Sequence, residues 1–281
     1  TLELSNMPPV DFERRLKYLL DYPHGCVEQT TSRAFPQLYL KDVMDAGTDQ
    51  RAFERASDNV KAALDRLRLF QNSEGGFGFW PGAIRSSDWG STYVGHFIIE
   101  AEAKGFVIPS GMKDKWTSYQ KRAAKSYNPY TLTNYRGPHW RRYLDMAQAY
   151  RLYTLAMVGA PEMGAMNRLK AENDLDDTGL WRLATAYYLA GQKQIAEDMV
   201  SGLSTYVGTN GNYTNSYTYG SVDRDQAMIL ESMSIMGKKN EALTLSKKIS
   251  NSLTDQRWMS TQTTAYCLMA MVKFAGENGS S

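Results

Sequence analysis

Cys26 and Gln29 are the residues of this chain whose types and spacing allow covalent chemistry. Cys26 follows the turn sequence Pro23-His24-Gly25 and precedes a helical run that begins Val27-Glu28-Gln29-Thr30-Thr31-Ser32. A cysteine at a helix start meets unpaired backbone N–H groups and the positive end of the helix dipole, and both favour a thiolate. Gln29 is three residues on, so one helical turn brings its carboxamide alongside the sulfur. A sulfur held against a side-chain carbonyl can displace ammonia and leave an internal thioester, which lasts only where water is excluded. An ordinary buried cysteine at a helix start, followed by a polar face, fits the same spacing.

The other reactive side chains offer less. The chain has three histidines, at 24, 96 and 139, and neither His-x-x-x-His nor Cys-x-x-Cys occurs, so neither a metal site nor a cofactor is expected. His24 is expected to pack beside the turn, and Glu28 to be a first-turn acid favoured by the helix dipole. Cys267 lies in the apolar stripe 266–272 and reads as a small core residue. Glu74, Asp88 and Asp223 fall on loops beside aromatic residues, as a glycosidase acid pair would require. That keeps a carbohydrate-active enzyme as an alternative, and a helical-repeat binding module with an inert Cys26 as another.

These residues must be positioned by helices. Apolar residues recur at spacings of three and four over 12–20, 26–44 with Pro36 as a kink, 50–71, 92–104, 111–126, 140–158, 162–171, 178–190, 192–203, 222–236, 239–252 and 260–275, about twelve helices. Around Gly159, Gly191 and Gly237 an apolar helix, a short turn and a more polar helix follow one another. A helical hairpin cannot cover its own apolar face, so hairpins must stack or close into a ring. Spacings of 32 and 46 residues between those glycines are too uneven for a regular solenoid. A closed α/α toroid with the apolar helices inside fits better. The Gly-rich, aromatic stretch 71–90 reads as an ordered loop that plugs or rims the ring, and 206–221 as a short hairpin. Neither has the composition of a linker, so residues 1–281 are read as one domain.

Composition narrows the partners. With 32 Lys+Arg against 30 Asp+Glu the net charge is +2, and no nucleic-acid partner is expected. The longest apolar run, 265–272, is far below the roughly 20 residues of a membrane span. The first ten residues lack the pattern of a signal peptide and an initiator Met, as expected of an excised domain or a mature form.

The string Gly25-Cys26-Val27-Glu28-Gln29 resembles the thioester signature of the α2-macroglobulin and complement family, Gly-Cys-Gly-Glu-Gln in animal members. Tyr22-Pro23 before it, the aliphatic Val27 within it and Thr30-Thr31-Ser32 after it resemble the bacterial branch. The resemblance continues through the Gly-Gly-Phe-Gly-Phe-Trp-Pro-Gly loop, Arg224-Asp225-Gln226-Ala227 and Ser260-Thr261-Gln262-Thr263-Thr264. It implies a terpenoid-cyclase-like α/α toroid of six hairpins in two concentric rings, one domain of a much larger chain. It further implies that Cys26 supplies the sulfur and Gln29 the acyl carbon of a thioester. Exposed when a protease cuts a bait region, that bond would trap the protease once, by acylating an amine or hydroxyl, as an inhibitor and not as an enzyme. In complement members that favour hydroxyl acceptors a downstream histidine first takes the acyl group; in the comparable region stand Asn134, Tyr135 and His139, the last being the only imidazole. Neighbouring macroglobulin domains would shield the bond, and a periplasmic or cell-envelope location follows, with membrane contact only through a lipid anchor outside this segment.

Overall fold

In the computed structural model residues 23–43, 50–128, 138–172, 175–205 and 218–278 are described, Val43, Pro138, His139, Glu277 and Asn278 by backbone alone. Among them every regular element is helical. The helices are α1 (Val27–Ala34), which passes through a 3-10 turn (Phe35–Tyr39) at Pro36 into α2 (Leu40–Val43), then α3 (Gln50–Leu67), α4 (Asp88–Ala103), α5 (Met112–Ser126) and α6 (Pro138–Met157). They continue with α7 (Met163–Ala171), α8 (Asp177–Leu189), α9 (Lys193–Val200), α10 (Val222–Ile235), α11 (Lys239–Thr254) and α12 (Thr261–Asn278). With α1 and α2 counted as one kinked run, eleven of the twelve expected helices are present among the described residues; the one expected over 12–20 lies outside them.

The order of packing makes a ring. Helix α1 packs on α4, α4 on α6, α6 on α8, α8 on α10, α10 on α12, and α12 returns to α1. Helices α3, α5, α7, α9 and α11 pack outside this circle against their chain neighbours. The toroid follows from helix polarity. In α4 every residue from Trp89 to Ile98 is buried, and in α10 every residue from Arg224 to Ser234, because these inner helices meet outer helices on one side and the ring axis on the other. The hairpins turn at Gly159, Gly191 and Gly237, all at positive φ, and each time the next N–H returns to a carbonyl of the preceding helix: Ala160 to Leu155, Gln192 to Tyr187, Lys238 to Met233.

Inner helices buried on all sides must satisfy their own polar groups. Arg182 donates to Glu231 Oε2 at 2.5 Å and to the Tyr266 hydroxyl at 2.9 Å, with its guanidinium 4.5 Å from the Tyr153 ring centroid. Lys273 donates to Glu231 Oε1 at 2.7 Å and also pairs with Glu100, and Tyr39 donates to Glu100 at 2.7 Å. His96 Nδ1 meets the Tyr150 hydroxyl at 2.9 Å. All six inner runs therefore contribute to one polar cluster along the axis.

Candidate functional site

The stretch from His24 to Gln29 is held by α3, by the loop before α4 and by the later part of α1 itself. Arg66 of α3 donates to the Gly25 carbonyl at 3.3 Å, Arg33 to the His24 carbonyl at 3.1 Å, and the Val27 N–H to the Phe79 carbonyl at 3.1 Å. The loop 71–87 that supplies Phe79 is ordered, as expected. Phe77 is fully buried, its N–H donates to Ser91 Oγ at 2.8 Å, and its carbonyl accepts from Ser87 N–H at 2.8 Å. The loop thus rims the start of α1.

Gly25, at φ +99, turns the chain into α1, and Cys26 at φ −72, ψ 176 is the N-cap. Cys26 and Gln29 cap each other: the Gln29 backbone N–H turns to the Cys26 side chain, and the Cys26 N–H donates to Gln29 Oε1 at 3.3 Å. That fold-back requires glycine at 25, since a Cβ there would lie 2.1 Å from Gln29 Oε1. Cys26 is 6% exposed while Gln29 faces solvent. The cysteine is therefore inside and the glutamine at the surface.

Two expectations are corrected here. Burial pushes the Cys26 thiol up, the Gln29 N–H pulls it down, the Glu28 charge pushes it up again, and the net direction is upward. The helix start does not produce a thiolate, because desolvation outweighs the few N–H groups that oppose it. Glu28 is the first-turn acid expected, and it is buried. Its Oε1 accepts from Ser32 Oγ at 2.7 Å and Thr261 Oγ1 at 3.2 Å, and burial raises its pKa against those hydrogen bonds. His24 is exposed, where a buried place beside the turn was expected, whereas Pro23 and Val27 are buried. A Cβ on Gly90 of α4 would come within 2.9 Å of Val27 Cγ1, so α1 lies very close to α4.

Tyr22, Asn134 and Tyr135 lie outside the described residues, as do 206–217, most of the expected hairpin; His139 is placed in the first turn of α6 by its backbone alone. Cys267 is fully buried in α12, as read, and its thiol faces the Asp223 carbonyl at 3.6 Å. Of the three acids expected on loops only Glu74 lies on one, since Asp88 and Asp223 stand in the first turns of α4 and α10, and the three are each engaged separately. Asp88 pairs with Arg151 at 2.6 Å, Asp223 with Arg257 at 2.9 Å, and Glu74 accepts from Ser86 at 3.4 Å.

One cluster had no spaced motif to announce it. His96, Glu100 and Glu231 hold ligand-type atoms within 4.8 Å of one another at the axis. Lys273 and Arg182 already neutralise both carboxylates there. Against the cost of burial, Lys273 and His96 hold Glu100 down to about 2, and Lys273 and Arg182 hold Glu231 well below its ordinary value. Neither acid keeps a proton near neutrality, so the pair does not supply the general acid of a glycosidase.

The sequence family described as "A-macroglobulin TED domain" matches residues 4–127. Alpha-2-macroglobulin of Escherichia coli (strain K12) is 25% identical over 268 residues, a match that covers 93% of this chain and 16% of that protein. The crystal structure of native alpha-2-macroglobulin from Escherichia coli, spanning domain MG7 to the C-terminus, superposes with a TM-score of 0.79 at 25% identity, over 96% of this chain and 43% of that one. The trypsin-activated form of the Escherichia coli protein superposes with a TM-score of 0.78 at 24% identity, over 97% of this chain and 19% of that one. The chain thus spans about a sixth of the length of the full relative.

Proposed function

We propose that the chain is a thioester domain of the α2-macroglobulin family, whose domain model matches residues 4–127, and that Cys26 and Gln29 form an internal thioester that acylates an attacking protease once. The observation that carries this is the reciprocal cap, with the Gln29 carboxamide folded back onto the Cys26 N–H at 3.3 Å. In forming the bond, Cys26 Sγ adds to Gln29 Cδ and the C–N bond breaks. The amide nitrogen leaves as ammonia with the thiol proton. In firing, the nitrogen of a lysine amine or the oxygen of a hydroxyl adds to Cδ, the C–S bond breaks, and the nucleophile's proton goes to the sulfur. Nothing regenerates the thioester, so the domain acts as a single-use inhibitor.

The buried sulfur supports long-lived storage, and the exposed Gln29 supports access after activation. The trypsin-activated relative supports protease cleavage as the trigger. Target proteases and the shielding macroglobulin domains of the same chain are the partners in this reading. The location is periplasmic or cell-envelope associated, with any lipid anchor outside this segment. His139, at the start of α6, is the one imidazole positioned in sequence for acyl transfer; without its participation an amine attacks directly.

Intact-mass measurement of the full-length native protein tests the reading. A deficit of one ammonia is expected, and methylamine should replace it with an added amine while freeing one thiol. A full-length protein with no deficit, or a Cys26→Ala protein that still forms covalent protease conjugates, overturns it.

A further inference from the structure

The Gly25–Cys26 peptide unit is engaged on both sides. Its N–H donates to Gln29 Oε1 at 3.3 Å, and its carbonyl accepts from the Arg66 guanidinium at 3.3 Å. The neighbouring N–H groups at this helix start go elsewhere, that of Val27 to the Phe79 carbonyl and that of Gln29 to the Cys26 side chain. The Cys26 N–H is therefore the one described donor to the side-chain oxygen of Gln29.

Arg66 is placed for that carbonyl and for little else. It is half-buried, it forms no ion pair among the described residues, and its Nε is buried without a partner. Its guanidinium lies 5.6 Å from the centroid of the Phe70 ring, one helical turn on. The Phe70 carbonyl accepts the Gly78 N–H at 2.9 Å, which ties that turn to the loop before α4. Keeping a cation partly out of water without a carboxylate is costly. A cation that donates to a peptide oxygen draws electrons from the amide, and the N–H on the other side of the same peptide becomes a stronger donor.

That N–H faces the atom on which charge develops. When an amine nitrogen adds to the thioester carbon, Gln29 Cδ, the π pair of the C=O bond moves onto Oε1. When the carbonyl re-forms, the C–S bond breaks, its electron pair leaves on Cys26 Sγ, and the amine's proton goes to the sulfur. Formation of the thioester passes through the same anion on Oε1. A donor already aimed at such an oxygen stabilises the charged state more than the neutral one.

We infer that Arg66 is a positioning residue which, acting through the Gly25–Cys26 peptide, strengthens the N–H that holds the oxyanion on Gln29 Oε1. This role rests on the thioester reading, since without that bond there is no acyl group for the N–H to act on.

The full-length chain carrying Arg66→Lys or Arg66→Gln tests this by the rate of thiol release in methylamine, taken on the fraction with the ammonia deficit, and by the melting temperature. Lysine keeps the charge and a donor, whereas glutamine keeps a donor without the charge. Arg66→Gln should react roughly three- to thirtyfold more slowly, less than the about 10²–10³-fold lost with a donor that meets the oxyanion directly. Arg66→Lys should stay close to the unmutated rate. If Arg66→Gln melts with the unmutated chain yet carries no deficit, formation through the same oxyanion is lost, and that also supports the role. Equal rates in Arg66→Gln and the unmutated chain, equal slowing in Arg66→Lys and Arg66→Gln, or loss of the deficit together with a lower melting temperature overturns it. An unmutated chain with no deficit overturns the thioester reading and this role with it, whereas a failure confined to the Arg66 variants leaves the thioester standing.

Discussion

Gly25 and Gln29 share one volume: a Cβ on Gly25 would lie 2.1 Å from Gln29 Oε1 and 3.0 Å from its Cδ. The glycine therefore serves two needs at once, a backbone at φ +99 and an empty place for the carboxamide that folds over it. Gly25→Ala is expected to lower stability by about 1–2 kcal/mol for the left-handed backbone alone. It should also push Gln29 off the Cys26 N–H, so that methylamine releases no thiol. Thermal unfolding together with thiol titration checks both, and normal thiol release from Gly25→Ala contradicts the role given to the glycine.

Glu28 joins the two ends of the described chain, accepting from Thr261 Oγ1 at 3.2 Å across 233 residues of sequence. Burial raises its pKa above 4.5, so the native state holds the proton to higher pH than the unfolded chain. The stability that this proton contributes is fully present below pH 4.5 and is lost as pH rises through the raised native value. Glu28→Gln keeps an acceptor for Ser32 and Thr261 but carries no charge. Its melting temperature should gain on that of the unmutated protein as pH rises above 4.5, and a difference constant with pH counts against a buried charge here.

Close packing on the outside of the site gives a simpler expectation. A Cβ on Gly95 of α4 would stand 1.9 Å from the Trp116 ring, whose Nε1 donates to the Ser91 carbonyl at 2.7 Å and fixes the indole in place. Gly95→Ala should cost about 1–3 kcal/mol by overpacking. Since α5 moves and α1 does not, methylamine should still release one thiol in the protein that remains folded. Chemical denaturation gives the first quantity and thiol titration the second.

The ring itself was legible, because hairpins whose inner helices are apolar have few ways to close. The approach of Gln29 to Cys26 was legible because a three-residue spacing brings side chains together in any helix. What stayed hidden depends on contacts between residues far apart in sequence. Thr261 on Glu28, Phe79 on Val27 and Arg224 on Thr218 leave no local pattern, since each needs the ring to be closed before the partners meet. The thiol's direction of shift was misjudged for the same reason. Helix-start N–H groups can be read locally, but the burial that outweighs them comes from the assembled neighbours.

The axial pair of Arg182 and Glu231 allows a test of the ring apart from its chemistry. Both side chains are fully buried, and the guanidinium reaches Glu231 Oε2 at 2.5 Å while Lys273 holds the other oxygen at 2.7 Å. Replacing the ion group by apolar residues of equal volume is often neutral, but removing one partner leaves a buried charge short of its counterion. Arg182→Met should therefore cost about 3–5 kcal/mol. Glu231 and Glu100 are both held below 4.5, the latter to about 2, so their contribution is present above pH 4.5 and is lost as pH falls toward about 2. With Arg182 gone, one source of that depression is gone, and acid unfolding of Arg182→Met should begin at higher pH than in the unmutated protein. Circular dichroism followed across an acid titration measures the midpoint. An unchanged midpoint, or a loss of less than about 1 kcal/mol, would mean that Lys273 and the surrounding tyrosines hold the axis without the guanidinium.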